Sequence, residues 1–261
     1  MRSALRYPAR IVPLAFLAAV VIGTGLMMLP AARAEPGHAP FITALFTATS
    51  AVCVTGLAVV DTPTYWSGFG LVLITVLSQI GGFGIMTMAT LLGLLVSRRL
   101  GLRTRLMAQA ESAGLVQGNV SGVLIRVAVV MLACEAAISV VLGARFYLAY
   151  DYSPARAAWE AVFHAVQAFN NAGFALYSDS LVRFVADWWI CVPLTLGVLF
   201  GSIGFPVIFE LARQWRRPGG WSTHTRLTVW GTALLGSVGF AVFLAFEWSN
   251  PRTLGPLSLG G

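Results

Sequence analysis

The feature that most constrains this chain is a set of long stretches without any charged residue. Residues 11–30 form an uncharged run of 20 residues, and the stretch from Thr62 to Ser97 is also uncharged. At about 1.5 Å per residue, a helix of 20 residues crosses the roughly 30 Å hydrocarbon core of a bilayer. With 57% hydrophobic and only 10% charged residues among 261, the chain holds more apolar surface than a soluble domain can bury. The sequence therefore predicts an all-α polytopic membrane protein.

The apolar pattern predicts five membrane crossings. The first is residues 11–30, whose arginine-bearing start and following Ala32-Arg33-Ala34 are also typical of a signal peptide. The apolar region of a signal peptide usually has only about 7 to 15 residues, so we favour a retained helix. The other crossings are expected at about 68–97, 121–145, 187–212 and 225–247.

The positive charge of the chain follows a topological pattern. All 17 basic residues are arginines, and the net charge is +7. Three clusters at the ends of apolar spans hold most of them: Arg2, Arg6 and Arg10; Arg98, Arg99, Arg103 and Arg105; Arg213, Arg216, Arg217 and Arg226. Because arginine-rich loops tend to stay in the cytoplasm, the amino terminus is predicted to be cytoplasmic. The charge is thus explained by topology, with membrane lipid contact as a secondary effect, and not by nucleic acid.

Two apolar segments are too short to cross the membrane. Residues 40–52 and 155–169 are each followed by a glycine-bearing stretch and then by polar residues. Helices of about 13 to 15 residues reach only roughly 20 Å. They are predicted to be re-entrant half-helices. Irregular backbone after such a half-helix is tolerated at membrane depth only where protein buries it or where it lines a watery cavity, and a pore is the simplest such cavity.

The two half-helices belong to an internal repeat. ALFTATSAVCVTGLA, from Ala44 to Ala58, aligns with AVFHAVQAFNNAGFA, from Ala161 to Ala175, at an offset of 117 residues. Identical residues recur at alanine, phenylalanine and glycine positions, including Gly56 with Gly173. Gly82-Phe83 and Gly204-Phe205 correspond at a similar offset of 122, inside the span after each half-helix. The repeated unit is therefore predicted to be helix, half-helix, glycine loop, helix.

These segments resemble the Trk/Ktr/HKT potassium transporters over essentially the whole chain. The resemblance rests on FTATSAVCVTGLAVVDT, SQIGGFGIMTMATLLGLLVSRRLGLRTR, FHAVQAFNNAGFALYSDSL and GSIGFPVIFEL. It implies tandem helix, pore half-helix, filter loop and helix repeats, four of which surround one pore in the family. Residues 1–105 are then the first pore repeat, 106–217 the second, and 218–261 the first helix of a third, truncated repeat. We expect a complete pore to require more than this chain.

The resemblance implies that the two glycine loops form parts of a selectivity filter. A potassium ion sheds water in a narrow filter, so backbone carbonyl oxygens must replace its hydration shell. Glycine adopts the unusual backbone conformations that such a loop needs. Gly56 leans the prediction toward potassium, because serine at this position goes with sodium in some plant relatives. The candidate filter residues are Cys53, Val54, Thr55, Gly56 and Leu57 in the first loop, and Asn170, Asn171, Ala172, Gly173 and Phe174 in the second.

Two carboxylates follow the loops at the expected pore mouth. Asp61 and Asp179 could concentrate cations there, although solvated loop carboxylates or turn caps would explain them as well. The carboxyl end of each half-helix carries about half a negative charge, which would also favour a cation.

Other polar residues favour structural interpretations. Glu135 lies near the middle of the third span, where an ionisable group needs a partner from another helix or must be neutral, and we favour a structural role over ion handling. Glu160 and His164 have the i, i+4 spacing of a metal pair, but two ligands alone make a weak site. Gly81, Gly82, Gly84, Gly201 and Gly204 are expected to allow close helix approach, Pro206 to kink its helix, and Cys53, Cys134 and Cys191 to be structural or pore-lining.

The resemblance also implies partners and a location. These are potassium as the transported ion, a homodimer, a cytosolic nucleotide-binding regulatory ring and the bacterial inner membrane. No covalently bound cofactor, nucleic-acid partner or enzymatic activity is expected. The alternatives are a truncated non-conducting fragment, a relative permeable to sodium and potassium and, remotely, a membrane enzyme, for which GxSxG and HExxH motifs are absent.

Overall fold

The computed structural model describes residues 8–99, 120–250 and 253, and this part of the chain is helical without a β-strand. The expected repeat boundary at 105/106 lies outside the described residues, as do Arg2, Arg6, Arg103 and Arg105 and the end of the chain after residue 250 apart from Thr253. The helices are α1 (Pro8–Met27), α2 (Phe41–Val52), α3 (Thr62–Tyr65), α4 (Gly68–Arg99), α5 (Val120–Ala149), α6 (Pro154–Phe169), α7 (Trp188–Ile203), α8 (Phe205–Gln214) and α9 (Thr223–Glu247).

Three of these helices are long and apolar enough to cross a membrane. They contain the segments Gly68–Met88, Leu124–Ala149 and Thr223–Glu247, and the bent pair α7 and α8 makes a fourth if it counts as one span. The chain is therefore a helical, multi-pass membrane protein. By contrast, α2 has 12 residues and α6 has 16, so they rise only about 18 and 24 Å. The two expected short helices are thus present.

The expected span at 187–212 is broken and bent. Gly204 has a φ of +86° between α7 and α8, and the two helices meet at 102°. The prediction that Pro206 kinks the helix is wrong in its position. Pro206 lies in the first turn of α8, where its missing N–H costs nothing because that turn has no intrahelical acceptor. The bend therefore depends on the glycine that precedes the proline.

Short polar side chains fix where three of the helices begin. The Ser153 hydroxyl accepts a hydrogen bond from the Arg156 N–H at the start of α6. Asp187 accepts one from the Trp189 N–H at 3.0 Å at the start of α7. Ser222 does the same for Thr225 at the start of α9. Each cap satisfies an N–H that the first turn of a helix leaves unpaired.

Alanines line the buried faces of the two short helices. α2 packs against α1 and α4, and α6 packs against α5 and α7. Small residues let helix backbones approach closely. Close packing matters in a membrane because lipid is as apolar as large side chains, so the hydrophobic effect does little to associate helices. The buried alanines stand at equivalent positions of the repeat: Ala44, Ala48 and Ala51 in α2, and Ala161, Ala165 and Ala168 in α6.

An ion pair ties the end of α5 to the start of α7. The Arg145 Nε lies 2.7 Å from the Asp187 Oδ2, and the Tyr150 hydroxyl donates to the same oxygen at 2.9 Å. Burial alone would raise the pKa of Asp187, but the hydrogen bonds from Arg145 and Tyr150 hold that pKa below its usual range.

We expect Arg145→Met to lower the free energy of unfolding by about 1–2 kcal/mol, because it leaves a buried carboxylate without its charged donor. Thermal unfolding of the detergent-purified chain measures the change. Arg183→Met is the matched control, since the Arg183–Asp179 pair is exposed on both sides and should cost less than about 1 kcal/mol. Equal losses in the two variants would contradict the expectation.

The same pair predicts a pH dependence with a definite sign. The pKa of Asp187 is lowered in the folded protein, so its contribution to stability is complete above about pH 5, beyond the ordinary pKa of aspartate. That contribution is lost as the pH falls through the lowered pKa. The difference between wild type and Arg145→Met should therefore shrink at acidic pH.

Candidate ion-conduction site

The two short helices end in the same backbone motif. In α2, the Val54 N–H donates to the Ala51 carbonyl at 3.2 Å and the Thr55 N–H to the Ser50 carbonyl at 2.9 Å. In α6, the Asn171 N–H donates to the Ala168 carbonyl at 3.1 Å and the Ala172 N–H to the Gln167 carbonyl at 2.9 Å. This pair of bonds defines a Schellman ending. The repeat offset of 117 residues therefore holds in the backbone as well as in the sequence.

Each ending places a non-glycine residue in the left-handed region. Val54 has a φ of +49° and Asn171 a φ of +58°. Asparagine tolerates this conformation, whereas a β-branched valine is strained in it. Asn171 also gains a hydrogen bond from the Ser202 hydroxyl at 3.1 Å. Valine gives no sequence signal for such a backbone, so Val54 could be predicted as a loop residue but not as a left-handed one.

The two predicted glycines lie two residues further on, and their loops touch across the repeat. Gly56 has a φ of +68° and Gly173 a φ of +79°, as the expectation of unusual backbone angles requires. A Cβ on Gly56 would lie 2.2 Å from the Ala172 carbonyl oxygen and 3.0 Å from the Gly173 Cα. A Cβ on Gly173 would lie 3.4 Å from the Gly56 Cα. The structure therefore brings the two glycine loops into backbone contact.

The flanking residues of the two loops are less alike. Ala172 and Phe174 are buried, whereas Leu57 is exposed. Cys53 and Asn170 hold equivalent positions at the carboxyl ends of α2 and α6. Cys53 is an exposed free thiol, while Asn170 is buried. Equivalent positions thus share a backbone course and differ in their surroundings.

Glycines in the following helices allow both loops to sit close to them. A Cβ on Gly81 would lie 2.0 Å from the Val52 carbonyl oxygen, and one on Gly201 would lie 1.8 Å from the Phe169 carbonyl oxygen. These carbonyls hold equivalent places at the ends of α2 and α6. The expected close approach is confirmed for these glycines, but the correspondence of Gly82 with Gly204 is wrong. Gly82 lies within α4 and Gly204 at the helix break, so the structure pairs Gly81 with Gly201 instead.

A cavity of about 390 Å³ opens beside the two helix ends. It lies where the first loop, α4, the second loop and α7 converge. The partial negative charge at the carboxyl ends of α2 and α6 faces this region and favours a cation there. Its lining includes residues of both loops and both close-packing helices: Val54, Asn170, Asn171, Gly82, Gly201 and Ser202.

Polar side chains anchor each loop by a different route. The Thr55 hydroxyl donates to the Ser50 hydroxyl at 3.0 Å in the first loop. In the second, the Asn170 amide donates to Gln79 Oε1 at 3.0 Å and to Glu135 Oε1 at 3.1 Å. The required partners of Glu135 thus come from other elements. Gln79 is missed by sequence reasoning, because a lone glutamine ahead of Gly81-Gly82 gives only a weak signal.

The two carboxylates predicted at the pore mouth, Asp61 and Asp179, both accept hydrogen bonds from side chains. Asp61 accepts hydrogen bonds at 2.7 Å from the hydroxyls of Ser178 and Thr64, and these bonds lower its pKa. Asp179 forms a bidentate contact with Arg183, whose hydrogen bonds lower the pKa of that carboxylate. Asp61 ties one mouth loop to the other and, among the described residues, forms no ion pair, whereas Arg183 neutralises the charge of Asp179.

Glu160 and His164 serve packing. Glu160 pairs with Arg156 at 2.7 Å and accepts a hydrogen bond from the Tyr177 hydroxyl. The His164 Nδ1 contacts the Glu160 carbonyl oxygen at 2.7 Å, and its ring stacks on Tyr177. Among the described residues, no group of three or more His, Cys, Asp or Glu side chains could hold a metal ion.

Comparison with known sequences identifies the family of this chain. The sequence model of the family described as "TrkH: Cation transport protein" matches residues 3–218. The chain belongs to the TrkH cation transport protein family. This is a family of transporters and not a class of enzymes.

The most similar relatives include proteins named for potassium uptake. The chain is 38% identical over 252 residues to Ktr system potassium uptake protein B of Bacillus subtilis, covering 97% of the chain and 56% of the relative. It is 37% identical to the protein of the same name from Vibrio alginolyticus, covering 97% and 55%. Potassium/sodium uptake protein NtpJ of Enterococcus hirae is 30% identical, covering 92% and 52%. The chain therefore spans about half the length of these relatives.

The backbone contact predicts unequal effects of alanine at the two loop glycines. Gly173→Ala should lower the free energy of unfolding by about 1–2 kcal/mol, the cost of a left-handed alanine. Gly56→Ala should lower it further, because the new Cβ would overlap the Ala172 carbonyl. Thermal unfolding in detergent measures both. Gly236→Ala is the control, since a Cβ there would meet no described atom within 4 Å outside its own stretch of helix. A loss at Gly56 no larger than the loss at Gly173 would disprove the contact.

The strain at Val54 predicts a stabilising substitution. Val54→Asn should raise the free energy of unfolding by about 1 kcal/mol, because asparagine accepts the left-handed conformation that valine resists. Asn171→Val should have the opposite effect and also lose the hydrogen bond from Ser202. Melting temperatures of the two variants test the pair. A lower melting temperature for Val54→Asn would show that Val54 is not strained.

Proposed function

We propose that this chain contributes two repeats to a potassium uptake pore, in which the loops Cys53–Leu57 and Asn170–Phe174 form parts of a selectivity filter. The observation that carries the proposal is the backbone contact of two glycine loops that follow identical helix endings. Such loops can present carbonyl oxygens to a dehydrated cation, and the helix ends add partial negative charge. We propose potassium as the ion because the Bacillus subtilis and Vibrio alginolyticus relatives are named potassium uptake proteins.

The proposal includes the architecture predicted from the sequence. α2 and α6 are re-entrant pore half-helices, and five spans run from a cytoplasmic amino terminus in the bacterial inner membrane. The pore has four repeats, of which this chain supplies two and the first helix of a third. The protein forms a homodimer and binds a cytosolic nucleotide-binding ring. The word "system" in the relatives' names supports such partners. These features rest on the repeat geometry and on the family.

A pore that conducts both sodium and potassium is the second candidate. The name of the Enterococcus hirae relative, a potassium/sodium uptake protein, favours it. Glycine at both filter positions supports potassium selectivity, as the family resemblance implies. The ratio of the two uptake rates separates the candidates.

Potassium uptake in a bacterial strain that lacks its own uptake systems tests the proposal. Two forms are compared: the chain itself, and a fusion that continues residue 250 with the unmatched part of the Bacillus subtilis relative. We expect the fusion to restore growth at low potassium and Gly56→Asp or Gly173→Asp to abolish it, because a bulky carboxylate would force the loops apart. Gly219→Asp is the matched control, because Gly219 is exposed between α8 and α9 and a Cβ there would meet no neighbouring atom of the described residues within 4 Å.

The outcomes separate the parts of the proposal. Growth that survives both filter substitutions, with the proteins present in the membrane, would rule out the filter assignment. A fusion that inserts but does not take up potassium would reject the function. Growth restored by the chain alone would show that two repeats suffice.

A further inference from the structure

Glu135 is buried in the middle of α5, where it is 5% exposed. Within the described part of the chain, no arginine pairs with its carboxyl group. An ionisable side chain at membrane depth is costly, so its retention calls for a specific use. The mechanism of a carbonyl-lined filter does not itself require it.

The carboxyl group of Glu135 closes a triangle of hydrogen bonds. Its Oε2 accepts from Gln79 Nε2 at 2.8 Å, and its Oε1 accepts from Asn170 Nδ2 at 3.1 Å. Asn170 Nδ2 also donates to Gln79 Oε1 at 3.0 Å. The triangle joins α4 of the first repeat, α5 of the second and the residue that begins the second filter loop.

The triangle controls where the second loop begins. Asn170 is buried, and its side chain lies against Gly82, whose missing Cβ leaves room for it. The Val166 carbonyl oxygen also lies 2.9 Å from Asn170 Nδ2 and shares its two hydrogens with Gln79 and Glu135, so Asn170 holds the end of α6 as well. The next residues, Asn171 to Gly173, form the left-handed turn and the contact with Gly56. A displaced Asn170 would therefore displace that contact.

We propose that Glu135 is a positioning residue that fixes the second filter loop through Asn170 and Gln79, and thereby sets the discrimination of potassium from sodium. The inference rests on the proposed function. It extends that function to a residue that lies outside both loops and has no equivalent anchor in the first loop, where Cys53 occupies the position of Asn170.

The test exchanges the two ends of one hydrogen bond. Glu135→Gln places two primary amides together and removes one acceptor from the triangle. Adding Gln79→Glu restores one carboxyl and one amide, with the same donors and acceptors reversed. The measurement is the ratio of potassium to sodium uptake in the form of the protein that transports potassium, normalised to its amount in the membrane. Ser139→Ala is the control, because in the part of the chain that the structure describes that hydroxyl bonds only to the Glu135 backbone carbonyl, at 2.7 Å.

We expect Glu135→Gln to lower the potassium to sodium ratio by about three- to tenfold, the effect of losing about one buried hydrogen bond. The exchanged double variant should recover most of the wild-type ratio, and Ser139→Ala should leave the ratio unchanged. A residue that only fills space would change the amount of protein, and not the ratio or its recovery by exchange. If Glu135→Gln does not reach the membrane, Gln79→Met carries the comparison, since it keeps the carboxyl group and removes a partner.

Each other result decides against the inference. An unchanged ratio in both Glu135→Gln and Gln79→Met would overturn it while leaving the proposed function intact. A change in Glu135→Gln with none in Gln79→Met would assign the effect to the charge of Glu135 and reject positioning. A wild-type protein that takes up no potassium would reject the proposed function, and the inference with it.

Discussion

The rest of the site depends on the backbone contact between Gly56 and the Ala172–Gly173 peptide. A single added methyl group at Gly56 would come within 2.2 Å of a carbonyl oxygen, well inside ordinary contact. The two helix ends can therefore converge only if the first loop lacks a side chain at Gly56. At Gly173 a Cβ would fit at 3.4 Å from the Gly56 Cα, and the positive φ is what favours glycine there. The shared Schellman ending gives both loops the same local course, because each chain turns through one left-handed residue two positions before the glycine.

Close approach at the loops also constrains the helices behind them. Gly81 and Gly201 must leave room for the last carbonyls of α2 and α6, and alanines line the buried faces of both short helices. Lipid is as apolar as the side chains it replaces, so fit between small residues decides which helices associate. This explains why most identities between the two repeats fall on alanine and glycine, with Phe46 and Phe163 as the exception. The small positions are set by geometry, while most of the larger residues between them differ.

The sequence was sufficient to predict elements whose cause is local. Length and apolar character predict α4, α5 and α9, and the short runs predict α2 and α6 to within about two residues. The left-handed angles of Gly56 and Gly173 follow from the residue type and the repeat. The break at Gly204 is harder to foresee, because the neighbouring Pro206 carries the more familiar signal for a kink. A proline accepted in the first turn of a new helix looks the same in sequence as one that bends a continuous helix.

Contacts between distant residues lie beyond prediction from a single sequence. Gln79 and Glu135 are 56 positions apart, and the sequence around neither residue indicates that the two side chains are in contact. The requirement for a partner can be predicted from the cost of a buried carboxyl group, but the partner's identity comes from the packing of α4 against α5. The pairing of Gly81 with Gly201 is similar, since a change in loop length between repeats shifts the offset.

The two loops have the same backbone geometry but are stabilised by different side-chain hydrogen bonds. The strain at Val54 explains why the first loop needs a side-chain hydrogen bond of its own. Holding a valine in the left-handed region costs roughly 1–3 kcal/mol. The next residue, Thr55, donates its N–H to the Ser50 carbonyl at 2.9 Å and its hydroxyl to the Ser50 side chain at 3.0 Å. The backbone bond has its counterpart at Ala172 in the second loop, so the hydroxyl bond is the additional support that offsets the strain at the neighbouring Val54. In the second loop Asn171 adopts the same turn at little cost, so Ala172 needs no hydroxyl, and the anchor moves to Asn170 and the triangle behind it.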